Sequence, residues 1–321
     1  MTELSTPFEA LLNHTTLLAM WGALILHWFF PVPAYISPVT LWRRVAEAIS
    51  EKVNHEEDST EQQRLSGGLA LAVMWLTLAV LLVALKQIVW IGWLFDLLML
   101  WLALSWKPLT ELAMQVEQAL IRDDKPAART LLSQTLNRQT HSLSPVGIAK
   151  ASCETLLVGY ARGLVCVLFW YAVFGGIGAF LYTLAAQLAR VWPPRRQEFS
   201  QFGLAASGFL ALLDWMPSRL FALLIAAGHR FEPALTAIRE HGQSWSVNGA
   251  GWLLAASGAK LQLSLGGPAI YDSEKCTRPS IGGSVAASPM HLALLNQQLR
   301  QKALLWILIQ SFLMWFAHGL L

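Results

Sequence analysis

The chain has 321 residues, of which 55% are hydrophobic and only 13% charged, with a mean hydropathy of +0.46; a typical soluble domain carries roughly 25% charged residues. That balance excludes an ordinary water-soluble globule, and a formal net charge of +3 spread over scattered lysines and arginines excludes a nucleic-acid surface. The cysteines, Cys153, Cys166 and Cys276, form no CxxC pair and are odd in number, so neither a zinc site nor a disulfide framework is expected.

The apolar residues gather into runs of the length needed to cross a bilayer. The first covers 11–30, with His14 near one end and His27, Trp28, Phe29 and Phe30 at the other, before Pro31 and Pro33. No lysine or arginine precedes it, so it is expected to stay as an anchor and not to be cleaved as a signal. Residues 41–64 are polar, with Val45, Ala48, Ile49 and Val53 at helical spacing, which predicts an amphipathic helix on the membrane surface. Runs at 67–85 and 88–106 are separated only by Lys86 and Gln87 and predict a transmembrane hairpin with a tight turn. Asp96 lies near the middle of the second run, either as a functional acid or as a protonated one bonded to a neighbouring helix.

Two helical stripes follow in 107–162: Leu109, Leu112, Val116, Ala119 and Leu120, then Ala127, Leu131, Leu132 and Leu136 after a break at Pro126. Ser144 and Pro145 have the character of an N-cap and first-turn proline. The helix they open becomes apolar enough to cross at 163–189, where Gly175, Gly176 and Gly178 permit close helix contact or a bend. Residues 202–227 are apolar but carry Asp214, Pro217 and Arg219, which predicts a broken or re-entrant helix. An amphipathic helix near 232–240 precedes a Gly- and Ser-rich loop at 242–283 suited to ligand contacts, and 303–320 is the last span.

The expected fold is therefore all-α: a polytopic integral membrane protein with five to six transmembrane helices in a single membrane domain over 1–321. The bilayer is its first partner, and self-association is left open. If 202–227 crosses, segments 31–66, 107–163 and 228–302 share one side and hold most of the lysines and arginines, leaving Lys86, Arg190, Arg195 and Arg196 on the other. The richer side is then cytoplasmic, with six spans and both termini outside.

No Walker loop, HExxH, GxSxG or GxGxxG before a helix is present. The histidines are dispersed, so no metal site is expected, and the tryptophans read as interfacial anchors. Two small-residue turns stand out: Ser246, Asn248, Gly249, Gly251 and Trp252, then Leu265, Gly266, Gly267 and Pro268 followed by Tyr271. Backbone N–H groups at such turns can cradle an anion; the plainer reading is an ordinary loop.

In order and spacing the chain resembles the CobD/CbiB family of cobalamin assembly, the adenosylcobinamide-phosphate synthases, over nearly its whole length. The resemblance is carried by Ser37-Pro38-Val39, Arg64 with Gly67-Gly68, and Val116 through Arg129 ahead of Asn137-Arg138-Gln139-Thr140. It continues through Cys153-Glu154-Thr155, Phe202-Gly203 to Pro217-Ser218-Arg219-Leu220, the Ser246 to Trp252 turn and Leu265-Gly266-Gly267-Pro268 with Tyr271. It implies ATP-dependent amide formation between a propionate of adenosylcobyric acid and aminopropanol phosphate, with ATP and magnesium as cofactors and a corrinoid as substrate. Glu154 and Asp214 would be catalytic, and Arg138, Arg219, Ser246, Asn248, Gly266, Gly267 and Tyr271 would bind substrate.

The chain also departs from that family. Gln139, Gly159, Arg162, Ala186, Ala189, Leu210 and Ala211 stand where the family has acids or amides, and Asp214 stands at an asparagine, so that of the acidic set only Glu154 keeps its place. The 213–220 run, Leu-Asp-Trp-Met-Pro-Ser-Arg-Leu, is similar to the AmpE group, which implies a non-enzymatic membrane regulator as the alternative. A transporter ranks last, because no pair of interrupted spans lies in corresponding halves. An integral protein of the bacterial inner membrane is expected in every case.

Overall fold

A computed structural model describes residues 15–319 except 34, 56, 137–139, 244–249, 268, 272–273 and 277. Helix α1 (Thr15–Phe29) leads into α2 (Pro38–Val53), whose start is fixed by Ser37, its hydroxyl accepting from Val39 N–H, and by Pro38 in the first turn. The amphipathic helix thus begins three residues before the expected stretch 41–64 and ends well short of Arg64. Helix α3 (Thr60–Ile88) runs straight through Lys86 and Gln87, so the hairpin turn falls at 89–91, before α4 (Gly92–Ala103). The two predicted stripes form α5 (Trp106–Ile121) and α6 (Lys125–Ser133), the second capped by Asp124. Ser144 caps α7 (Pro145–Tyr160) by accepting from Gly147 N–H.

Among the described residues, four helical stretches are long and apolar enough to cross a membrane: Thr60–Ile88, Gly92–Ile121, Pro145–Val191 and Leu204–Ala226; Thr15–Phe29 is apolar but shorter. The third is not one crossing. Beyond α7 the chain passes through a π-helical turn (Ala161–Cys166) into α8 (Val167–Val191), and inside α8 Gly175 takes φ 66° and ψ −160°, which no helix contains. Arg162 and Tyr182 both bond to Asp214, although along a straight helix they would lie about 30 Å apart. A Cβ on Gly178 would come within 2.7 Å of the Trp170 carbonyl. The chain therefore doubles back at Gly175, with 176–191 returning beside 167–174. The single span expected at 163–189 is corrected to two antiparallel arms.

The reversal also relocates the basic residues after α8. Arg190 donates to the carbonyls of Gln134 and Thr135, and Asn54 donates to the Glu198 carbonyl in a short 3₁₀ turn (Gln197–Phe199). Trp42 and Trp192 donate across to Leu184 and Ala46. Segment 190–203 thus sits with α2 and α6 at one polar end, not opposite them as expected. Among the described residues, Lys86 is the only lysine or arginine at the far end.

Helix α9 (Leu204–Ala226) is continuous through Pro217, so the expected break is absent. Its beginning packs on Trp192 and α3, where a Cβ at Gly203 would run into the Trp192 carbonyl, and its end, at Ala227, is held by Lys260 and Lys302. The Gly- and Ser-rich stretch is not a loop. After α10 (Phe231–His241) it holds α11 (Gly251–Leu261) and two antiparallel ribbons, β1 (Ser264–Gly266) with β4 (Ser280–Gly282) and β2 (Ala269–Tyr271) with β3 (Glu274–Cys276). Leu265 pairs with Ile281, and Gly282 sits so close to Gly258 that a Cβ there would lie 2.6 Å from its Cα. Helix α12 (Pro289–Gly319) starts at the polar end against α5 and α7 and carries the last apolar run.

Outside the bundle, Leu69, Val73, Leu76 and Val80 of α3 are exposed, as a lipid-facing surface requires. Gly67 and Ala70 face inward instead. A Cβ at Gly67 would collide with the Phe202 carbonyl, whereas one at the adjacent Gly68 meets nothing within 4 Å. Gly67→Ala should therefore cost about 1–3 kcal/mol through overpacking, while Gly68→Ala should gain up to about 1 kcal/mol from helix propensity. Thermal unfolding of the two variants in detergent separates them, and equal midpoints would contradict the close approach.

Candidate functional site

Two buried polar clusters form around Glu154 and Asp214. The first is built on α7, where Glu154 points its carboxylate at the end of β1. Oε1 accepts from Gly266 N–H at 2.7 Å, and Oε2 faces Arg278 Nη1 at 3.4 Å. Arg278 also donates through Nε to the Gly267 carbonyl at 2.9 Å, and both side chains of the pair are about 90% buried. Gly266 and Gly267 take φ 76° and 78°, the left-handed region that glycine enters without a Cβ penalty. Lys150, one turn earlier on α7, brings its ammonium over Gly267, where a Cβ would lie 3.2 Å from Nζ.

The anion held at the Gly-Gly turn is therefore the protein's own carboxylate. Gly266 N–H is taken by Glu154 and Gly267 N–H by the Pro279 carbonyl at 3.0 Å, so in this arrangement neither is open to an external anion. Arg278 had no signal in the sequence: it lies in a ribbon without periodicity, 124 positions from its partner. Tyr271 stands in β2 with its side chain outside the described residues, and Arg138, Ser246 and Asn248 lie outside them altogether.

The second cluster lies deeper in the bundle. Asp214, 1% exposed, accepts from Arg162 Nε at 2.8 Å and from Tyr182 O–H at 2.6 Å, while Ser218 sits 3.9 Å from the Cys166 sulfur. The π-helical turn contributes here, since the wider winding sets Arg162 against α9. Arg219 stands apart, its guanidinium 4.3 Å from the Trp215 ring and 5.0 Å from Trp252. Through the Trp252 indole face it reaches the end of the first small-residue turn.

Asp96, the third acid of interest, accepts from Gly176 N–H at 3.0 Å and pairs with Lys86 Nζ at 2.9 Å. It is bonded to a neighbouring helix, as one reading expected, and faces a lysine as well. Its carboxylate caps the restart of α8 after the reversal, where a helix N-terminus favours negative charge.

Magnesium prefers near-octahedral oxygen ligation from one or two carboxylates with substrate phosphate. Among the described residues no group of three His, Cys, Asp or Glu side chains could hold a metal, and Glu154 and Asp214 are each committed to an arginine and a second donor. The donor set as arranged does not fit a preformed magnesium site. An open cleft of about 510 Å³ lies at the polar end between α10, α11 and β4, lined by Arg230, Glu232, Thr236, Glu240, Gln262 and Gly283 among others. That volume falls within the range of small-molecule sites.

A profile of the CobD/CbiB protein family matches residues 20–300. The chain belongs to that family. It is 34% identical over 275 residues to a cobalamin biosynthesis protein CobD of Stutzerimonas stutzeri, covering 86% of this chain and 90% of that one. Proteins of the same name from Chromobacterium violaceum and Photorhabdus laumondii are 29% and 27% identical, covering 81% and 83% of this chain and 84% and 87% of theirs. No solved structure matches. The match spans both clusters and the reversal at Gly175, and the names of these relatives favour the cobalamin reading over the regulatory one.

Proposed function

We propose that this protein acts in cobalamin biosynthesis at the bacterial inner membrane, at the step that joins aminopropanol phosphate to a propionate of adenosylcobyric acid. The observation that carries the reading is the family match over most of the chain, with a 34% identical relative named for cobalamin biosynthesis. The polar end faces the cytoplasm in this reading, because it holds nearly all of the lysines and arginines outside the membrane. The corrinoid would meet the protein there, at the cleft beside α10 and α11 and at the ribbon that Glu154 and Arg278 hold in place. Glu154 then acts as a positioning residue for the Gly266–Gly267 turn.

Genetic rescue tests the step. Bacteria lacking their own cobinamide-phosphate synthase should regain cobalamin-dependent growth when they express this chain, with cobinamide feeding as the control. If the fed control grows and the protein is present in the membrane but rescue fails, the amide-forming reading is wrong. Binding of adenosylcobyric acid to the purified protein would in that case keep a corrinoid-binding role.

A further inference from the structure

The end of α9 is held by two lysines at once. The Ala227 carbonyl accepts from Lys260 Nζ at 2.7 Å and from Lys302 Nζ at 2.9 Å. A lysine commonly bonds a terminal carbonyl, and the two lone pairs of the oxygen leave room for another. A second brings two ammonium groups within about 6 Å of each other, where like charges disfavour one another. Burial, and after it the Lys302 charge, lower the Lys260 pKa from the usual lysine range. Among the described residues neither lysine forms an ion pair with a carboxylate, and each ammonium has three N–H groups of which Ala227 takes one.

The location adds a second observation. Lys302 stands immediately before the apolar run of α12, and Ala227 immediately after the apolar run of α9, so the pair lies where two apolar runs meet the polar end. The chain leaves that junction through Gly228 at φ 92°, and a Cβ there would lie 4.0 Å from Lys260 Nζ, so no side chain covers the ammonium from that position. Two half-buried, like-charged donors converging at such a junction match a bridging oxyanion, which lysine binds as a point charge.

We propose that Lys260 and Lys302 form a binding site for a phosphate group at the membrane rim, whose oxygens bridge the two ammonium groups. The phosphate belongs either to an anionic lipid headgroup or to a soluble phosphate ester. The test uses the full-length protein in neutral detergent with two probes: phosphatidylglycerol against phosphatidylcholine, with retained lipid counted by native mass spectrometry, and inorganic phosphate, read as a rise in unfolding temperature. Phosphatidylglycerol should be retained in preference, and Lys260→Met or Lys302→Met should each weaken it about fivefold, the two together about 30-fold. Stabilisation of the wild type by inorganic phosphate without lipid preference supports the site with a soluble phosphate as its source. If both probes act alike on the wild type and on the doubly substituted protein, the lysines only cap α9 and the proposal fails. Should the double variant resist purification, Lys302→Gln alone, which leaves Lys260 on Ala227, makes the same comparison.

Discussion

Glu154→Ala should release the β1–β4 ribbon from α7 and cost about 3–5 kcal/mol, the range seen when one partner of a buried ion pair is removed. The reason is the burial of both groups: the Arg278 side chain is 7% exposed and that of Glu154 10%, so water cannot take over the lost charge. Gly266 N–H also loses its acceptor. Glu154→Gln isolates the charge from the hydrogen bond, because the amide oxygen still accepts from Gly266 while the carboxylate facing Arg278 is gone. The expected order in unfolding temperature is wild type, then Gln, then Ala, with protease cleavage in the ribbon appearing in the alanine variant first. An alanine variant with the wild-type cleavage pattern and midpoint would mean that the ribbon is held by its contact with α11 alone.

Asp214→Ala should be equally costly, again about 3–5 kcal/mol, since it leaves the Arg162 guanidinium without the Asp214 carboxylate and Tyr182 without its acceptor. The informative variant is the combined one. Arg162→Met with Asp214→Leu and Tyr182→Phe replaces the whole cluster by apolar groups of similar size. Buried ion pairs replaced in this way are often neutral or gain about 1–4 kcal/mol. Recovery of most of the stability in the combined variant, measured as a mutant cycle by thermal unfolding in detergent, is the expected result. Simple addition of the single-site losses would show that the three side chains do not act as a unit.

Much of the fold was legible because it obeys periodicity and capping. The stripes through Val116 and Ala119 and through Leu132 are buried where expected, and Ser144 caps α7 as its position before Pro145 implies. The reversal at Gly175 was not legible as such, since an apolar run looks the same whether it crosses once or folds back. Its signal was length: Pro145–Val191 has 47 residues, about twice the 20 or so that one crossing needs, with adjacent glycines partway along it. The basic residues were misplaced for the same reason.

The site was less legible than the fold. Taken singly in the sequence, Arg162 and Asp214 read as departures from the pattern that the resemblance implies. Together they are complementary, because the Arg162 guanidinium pairs with the Asp214 carboxylate, 52 positions along the chain. Arg278 was invisible for a related reason: a pairing partner so distant in sequence leaves no local mark. What sequence patterns record is which face is apolar, and not which polar groups meet across the core.

The pairing of Lys86 with Asp96 bears on how the chain enters its membrane. Between Gly67 and Trp106 these two side chains are the only charged ones, and they lie 2.9 Å apart. A lone charge carried across a resting potential does work of about 2.3 kcal/mol per 100 mV. The α3–α4 hairpin carries a cation and an anion together, so the field performs no net work on its passage. The aspartate that pairs this lysine then remains at the far end to receive the first N–H of the returning arm of α8, which can fold against a hairpin already in place.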